Sequence, residues 1–307
     1  FKVRPEFSIA GAVAFAFNTF HIISLDAGHN AKIWAICLIP LILAGIHLAF
    51  SGKRILGLAL FAFGLMLQLK FNHLQITYYT LLIVLIYGIG QIVDSYKSKS
   101  LPAFGKTILI LVLGACLAVG SNLSRFMTVL EYGSFSTRGQ SNITSANTSE
   151  GGLDRDYAFN WSQGKMETLT LLVPFIYGGG SGEALPKDSN SEQALRSNGV
   201  ESAQATGFIE KAPTYWGEQP GTGGPIYGGA IMLFLFVLGL IYAPKTYKYV
   251  FLSITILSIF LAFGKNLAWF NYLLFDILPG YNKFRAVSMA LGMTLFAVPV
   301  LGMIALE

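Results

Sequence analysis

The sequence predicts an all-α polytopic membrane bundle, and three observations carry that prediction. Only 12% of the 307 residues are charged while 53% are apolar, and the mean hydropathy is +0.57; a soluble domain carries about 25% charged residues. Apolar runs of spanning length recur between polar connections. Lys and Arg crowd into every second connection, as they do in chains threaded repeatedly through a bilayer.

Eight spans are expected, at 8–24, 32–50, 55–69, 75–94, 107–125, 226–243, 249–264 and 286–304. They divide the chain into a five-span part (1–125), a loop region (126–225) and a three-span part (226–307). The first and second are long greasy runs, "SIAGAVAFAFNTFHIIS" and "IWAICLIPLILAGIHLAF". The third, "ILGLALFAFGLMLQL", and the seventh, "YVFLSITILSIFLAFG", fall short of the roughly 17–25 residues a span needs. Such spans thin the bilayer locally or tuck among neighbours. In the loop region, "METLTLLVPFIYGGG" is too short to span and is broken by Pro174, so an interfacial or re-entrant helix is expected near 166–178. The stretch near 181–207 is polar and Ser/Asn/Gly-rich, and is expected to be a mobile excursion.

Orientation follows from charge. Connections 1–7, 51–54, 95–106 and 244–248 hold nine Lys and Arg in 28 residues, and are expected to be cytoplasmic. The alternate set, 25–31, 70–74, 126–225 and 265–285, is mixed in charge and rich in Trp, Tyr, Asn, Gly and Pro. Every unusual polar cluster belongs to it, so function is expected on the extracytoplasmic face. A net charge of +5 without a basic, aromatic-interleaved block excludes a nucleic-acid partner. Cys37 and Cys116 lie in apolar runs and are expected to be buried hydrophobes. The chain opens on Phe1 and closes on Glu307 directly after an apolar run, so it is expected to be an internal piece of a longer protein.

Several clusters carry chemistry. In "SLDAGHNAK", Asp26 and His29 stand three apart, with Gly28 allowing the chain to turn and Asn30 placed to cap the next helix. They read either as a carboxylate–imidazole pair or as a solvated joint. Two such ligands are too few for a metal, and His73 is the candidate third. His21 and His47 fall inside spans, where an ionisable group faces the bundle interior or a cavity. Arg138, Arg155, Lys283 and Arg285 are cations beside the membrane, suited to clamping a lipid phosphate or to plain interfacial anchoring. Asp154 and Asp156 flank Arg155 and precede Tyr157 and Trp161; acids beside rings hold sugars, or form an Asp-rich turn. Trp216 repeats that theme in "PTYWGEQPGTGGP", whose glycines lack the Lys-Ser/Thr pair of a phosphate loop.

Five blocks in order resemble the YfhO-like bacterial membrane protein family: "SLDAGHNAK", "FNHLQITYYTLLIVLIYGI", "DYAFNWSQGKMETLTLLVPFIYGG", "PTYWGEQPGTGGPIYGGAI" and "LPGYNKFRAVSMAL". The resemblance covers nearly the whole chain. It implies a GT-C-type glycosyltransferase of the bacterial cytoplasmic membrane, moving a sugar from a polyprenyl-phosphate carrier to a cell-envelope polymer on the extracytoplasmic side. Its partners are then membrane lipids, that carrier and that acceptor. It names no certain cofactor, and a divalent metal is compatible with it. The family's usual catalytic acid sits on an earlier loop, expected upstream of Phe1. Asp26, His29, Asp154 and Asp156 are therefore candidates for catalysis. Arg138, Arg155, Lys283, Arg285, His73, Tyr157, Trp161 and Trp216 are candidates for substrate binding. The rival readings are a non-catalytic subunit of a larger membrane complex and, less readily, a lipid-linked sugar transporter.

Overall fold

A computed structural model of the chain describes residues 1, 3–133, 135–136 and 152–307. The expected candidate Arg138 lies outside the described residues. The fold is all-helical: α1 (Pro5–Ala16), α2 (Thr19–Asp26), α3 (Asn30–Cys37), α4 (Ile39–Phe50), α5 (Arg54–Lys70), α6 (Leu74–Lys97), α7 (Leu101–Gly120), α8 (Leu123–Gly133), α9 (Arg155–Ala158), α10 (Asn190–Ser197), α11 (Ser202–Ile209), α12 (Ala230–Tyr242), α13 (Lys245–Ala262), α14 (Ala268–Ile277) and α15 (Leu291–Ala305). Among the described residues the only β pairing is one isolated antiparallel bridge, Ala184 with Pro213.

Five helical segments are long and apolar enough to cross a membrane: Asn30–Phe50, Leu74–Lys97, Leu101–Gly120, Lys245–Ala262 and Val287–Ala305. A sixth forms if α1 and α2, bent by 41°, count as one. The bend has a local cause: Asn18 leaves the helical conformation and its side chain accepts the His21 N–H, starting α2 afresh. Helix α5 has 17 residues and α12 only 13. At 1.5 Å per residue, α12 is about 20 Å long against a hydrocarbon core of about 30 Å. Its expected first turn is not helical, because Gly229 takes a positive φ of 92° and fixes the start at Ala230. The seventh expected span is longer than predicted, because the polar turn from Lys245 joins α13 and Lys248 reaches back to the Ile241 carbonyl.

The last span is the central post. In its most apolar window 89% of the residues are buried, against 22–50% for the other four. α12, α13 and α1 pack around it. A second tight seam joins α4 to α5, where glycines let two backbones meet. A Cβ on Gly57 would lie 2.5 Å from the Ala49 nitrogen and 2.6 Å from the Gly45 carbonyl oxygen. This is small-residue packing of the kind membrane helices use in place of a hydrophobic driving force. The outward faces carry Ile55, Leu85, Ile89, Leu109, Leu117 and Phe234, all exposed, which suits lipid rather than water as the surrounding solvent.

In the loop region the helices differ in kind and place from those expected. Near 166–178 there is no α-helix: Met166–Leu171 is one 3₁₀ segment and the chain then turns around Pro174, leaving Leu172, Val173 and Phe175 exposed. The short amphipathic helices are α8 and α14 instead. α8 shows Leu123, Met127 and Leu130 outward, and α14 shows Trp269, Leu273 and Ile277. The segment 181–207, expected to be a mobile excursion, carries two helices. α10 and α11 pack as a hairpin around the buried Glu192, whose carboxylate accepts from the Asp188 N–H (2.7 Å), Arg196 (2.6 Å) and the Thr206 hydroxyl (2.8 Å). Those bonds, the Thr206 hydroxyl first, lower its pKa.

Candidate functional site at the loop end of the bundle

The connections 27–29, 71–73 and 263–286 and the region 152–229 gather at one end of the helices. The cluster of interest is built from the opening of α3. Helix α2 closes in a Schellman turn: the Gly28 N–H donates to the Leu25 carbonyl (2.9 Å) and the His29 N–H to the Ser24 carbonyl (2.8 Å). Gly28 sits at φ 74° with nothing within 4 Å of its Cβ position, so backbone conformation alone demands a glycine there. The expected cap shifts by one residue: His29 is the N-cap of α3, with no side-chain cap bond, and Asn30 is already helical.

This turn delivers Lys32 into the protein. Lys32 is only 9% exposed, and among the described residues its ammonium has no hydrogen bond and no ion pair. Its one close partner is the face of Phe20, with Nζ 5.0 Å from the ring centroid. Lys32 is also the charged neighbour of three imidazoles, His21, His29 and His73. His73 is the N-cap of α6, its Nδ1 accepting the Ile76 N–H (3.4 Å), which assigns the ring proton to Nε2. Burial, then the Lys32 charge, hold the His73 imidazole down at about 4. The same two causes lower His29. His21 is 1% exposed; its Nδ1 lies 3.1 Å from the Asn18 amide nitrogen, and its Nε2 is buried without a partner. Among the described residues Lys32 thus presents a buried ammonium, and His21 a buried ring nitrogen, that the protein itself does not satisfy, and such groups are costly to leave unpaired.

Beneath His21 runs an apolar groove of about 530 Å³ between α1, α3–α4 and α15, walled by Phe15, Ala16, Cys37, Leu43, Phe296 and Val300. The His21 ring stands edge-on to Phe15, centroids 5.0 Å apart. Cys37 lines this groove and Cys116 is exposed, so neither is the buried hydrophobe expected.

The remaining candidates divide. Arg285 donates to the Tyr157 hydroxyl and lies over its ring, so these two come together. The Arg285 carbonyl accepts from Gln75 (2.8 Å), which ties this pair to the first turn of α6, beside His73. The chain turns there through Ala286, a non-glycine residue at φ 54°, whose N–H donates to the Ala158 carbonyl. Asp154 caps α9 by accepting the Tyr157 N–H (3.0 Å). Arg155 is bound to Asp276 at 2.7 Å and lies over Tyr272, which fastens α9 to α14. Trp161 donates to the Gly221 carbonyl (3.3 Å), and Trp216 stacks on Tyr177 at 4.3 Å while 65% exposed. Asp26, Asp156 and Lys283 are exposed at the same end. Among the described residues no three His, Cys, Asp or Glu side chains converge as a metal site, and His73 caps a helix instead.

No protein-family model, curated protein or solved structure matches the chain. The chemistry of the site therefore rests on its own atoms. Two features escaped the sequence reading. One is Lys32, a single cation inside the first turn of a long apolar run, which is a readable signal. The other is Glu167, 4% exposed, which accepts from the Gly164 N–H, Gln219 and Tyr215. It ties 163–167 to 215–219, and burial raises the Tyr215 pKa. Little local marks Glu167, since its side-chain partners Tyr215 and Gln219 lie some fifty residues on.

Proposed function

We propose that this chain is a membrane transferase of GT-C type that takes a sugar from a polyprenyl-phosphate carrier at the extracytoplasmic face. The observation that carries the reading is Lys32, buried and, among the described residues, without a counter-ion, beside His21, His29 and His73. A carrier phosphate supplies the acceptors these donors lack, and a long isoprenoid chain suits the groove. The positive bias of the opposite connections favours the extracytoplasmic assignment for this end. In this reading the bent α1–α2 pair, α5 and α12 complete eight crossings.

The transfer breaks the bond between the anomeric carbon and the carrier phosphate oxygen, and the electron pair leaves with the phosphate. Lys32 stabilises that developing charge, with neutral His29 and His73 donating N–H bonds. The acceptor hydroxyl forms the new glycosidic bond and gives its proton to a carboxylate, for which Asp26 and Asp156 are the free candidates. Asp154 is occupied as a helix cap. Arg285 and Tyr157 then flank the sugar.

The test is carrier binding in lipid nanodiscs. Lys32→Gln should weaken polyprenyl-phosphate binding at least tenfold, about 1.4 kcal/mol, with the helical signal unchanged. Equal binding by the variant, or no sugar transfer by wild type with any polyprenyl-phosphate sugar, would remove the proposal.

A further inference from the structure

A polar recess lies where α5 ends and α7 gives way to α8, and Lys32 is not among its lining residues. Its volume is about 620 Å³, and Lys70, Ser121, Ser124, Arg125 and Thr128 supply its polar lining, with Met66 among the apolar residues. Two cations and three hydroxyls therefore face one space, and among the described residues no carboxylate lines it. The recess is built by a change of direction. α7 stops at Gly120, and the Asn122 side chain bridges back to the Met66 carbonyl (3.1 Å) and the Ala118 carbonyl (3.0 Å). The Arg125 guanidinium donates to the Lys70 carbonyl, capping the end of α5 and holding its own charge at the rim.

The surroundings are apolar. α8 turns Leu123, Met127 and Leu130 outward, and α7 exposes Leu109, Val112, Leu113 and Leu117 along its length. The recess thus sits at the end of a spanning helix, with an amphipathic helix on one side and a bare apolar face running away from it. We propose that it is a binding site for an anionic phospholipid. The headgroup phosphate sits between Lys70 and Arg125, the Ser124 hydroxyl donates to its oxygens, and the acyl chains lie along α7; the Ser121 and Thr128 hydroxyls, which donate to the Ala118 and Ser124 carbonyls, line the polar wall. Charge complementarity selects the lipid: two cations without a carboxylate favour net negative headgroups over zwitterionic ones. The site is independent of the proposed transferase reading.

The test uses the full chain, purified in mild detergent, with native mass spectrometry counting bound lipid. Phosphatidylglycerol should be retained at least fivefold more than phosphatidylcholine. Lys70→Gln and Arg125→Gln should each remove most of that preference, whereas Lys32→Gln should leave it intact. Because Arg125 also caps α5, Lys70→Gln is the deciding variant, with helical content checked for both. Equal retention of the two lipids, a preference that survives Lys70→Gln, or displacement of phosphatidylglycerol by millimolar inorganic phosphate would each overturn the proposal.

Discussion

His73 ties a protonation state to the integrity of the site. Its folded pKa of about 4 lies below the ordinary 6.5, so the unfolded chain binds more protons between those values. Stability is therefore intact above pH 6.5 and falls as the pH drops toward 4, by up to about 3 kcal/mol if the whole shift is expressed. His73→Gln should flatten thermal midpoints across that window; an unchanged acid limb would show that another group controls it. A phosphate bound as proposed would act oppositely, favouring the imidazolium, so affinity for the proposed carrier should rise as pH falls through the same range. Part of this site was legible in the sequence. His29 and His73 stand out as polar residues at the ends of greasy runs, and Gly28 announces its turn. The roles of Arg155 and Asp154 were not legible. A cation beside the membrane looks like a phosphate clamp until its partner Asp276, 121 residues away, is seen to occupy it. Asp154 resembles a sugar ligand until its cap bond is seen.

At the scale of elements, apolar runs locate helices well and their ends poorly. Hydropathy places all the long helices, because a run of aliphatic residues in lipid has no way to satisfy its backbone except by helix. It misplaces ends wherever polar residues join a helix or glycines leave it, as at Lys245 and Gly229. It also overlooks α14 and mistakes α8 for the tail of a span, since neither has the length that window-averaging detects. The α4–α5 seam gives a sharp prediction. Gly57→Val has no room to relax, because the atoms it meets are the backbone nitrogen of Ala49 and the carbonyl oxygen of Gly45. The substitution should cost about 1–3 kcal/mol, read as a lower thermal midpoint in detergent. The same change at Gly88, which has nothing within 4 Å, should cost far less. Equal losses at the two positions would show that the seam is looser than its geometry.

For the whole molecule, the alternation of charged and polar connections makes a two-sided map that labelling can test. Cysteines introduced at Ala27 and Asp156, in a background lacking Cys37 and Cys116, should react with an impermeant reagent from one side of the bilayer. Cysteines at Ser51 and Ser98 should react from the other. Separate compartments for Ala27 and Asp156 would remove the common face that the proposed transfer requires. The burial of α15 has a consequence for how such a chain is made. Synthesis runs from the N-terminal side, so α1, α12 and α13 enter the bilayer before the post they embrace exists. Until Val287–Ala305 arrives, their inner faces have only lipid or one another to meet. A ribosome stalled before that segment should leave a bundle with an open seam, a ready target for membrane proteases, and insertion of this helix closes that seam.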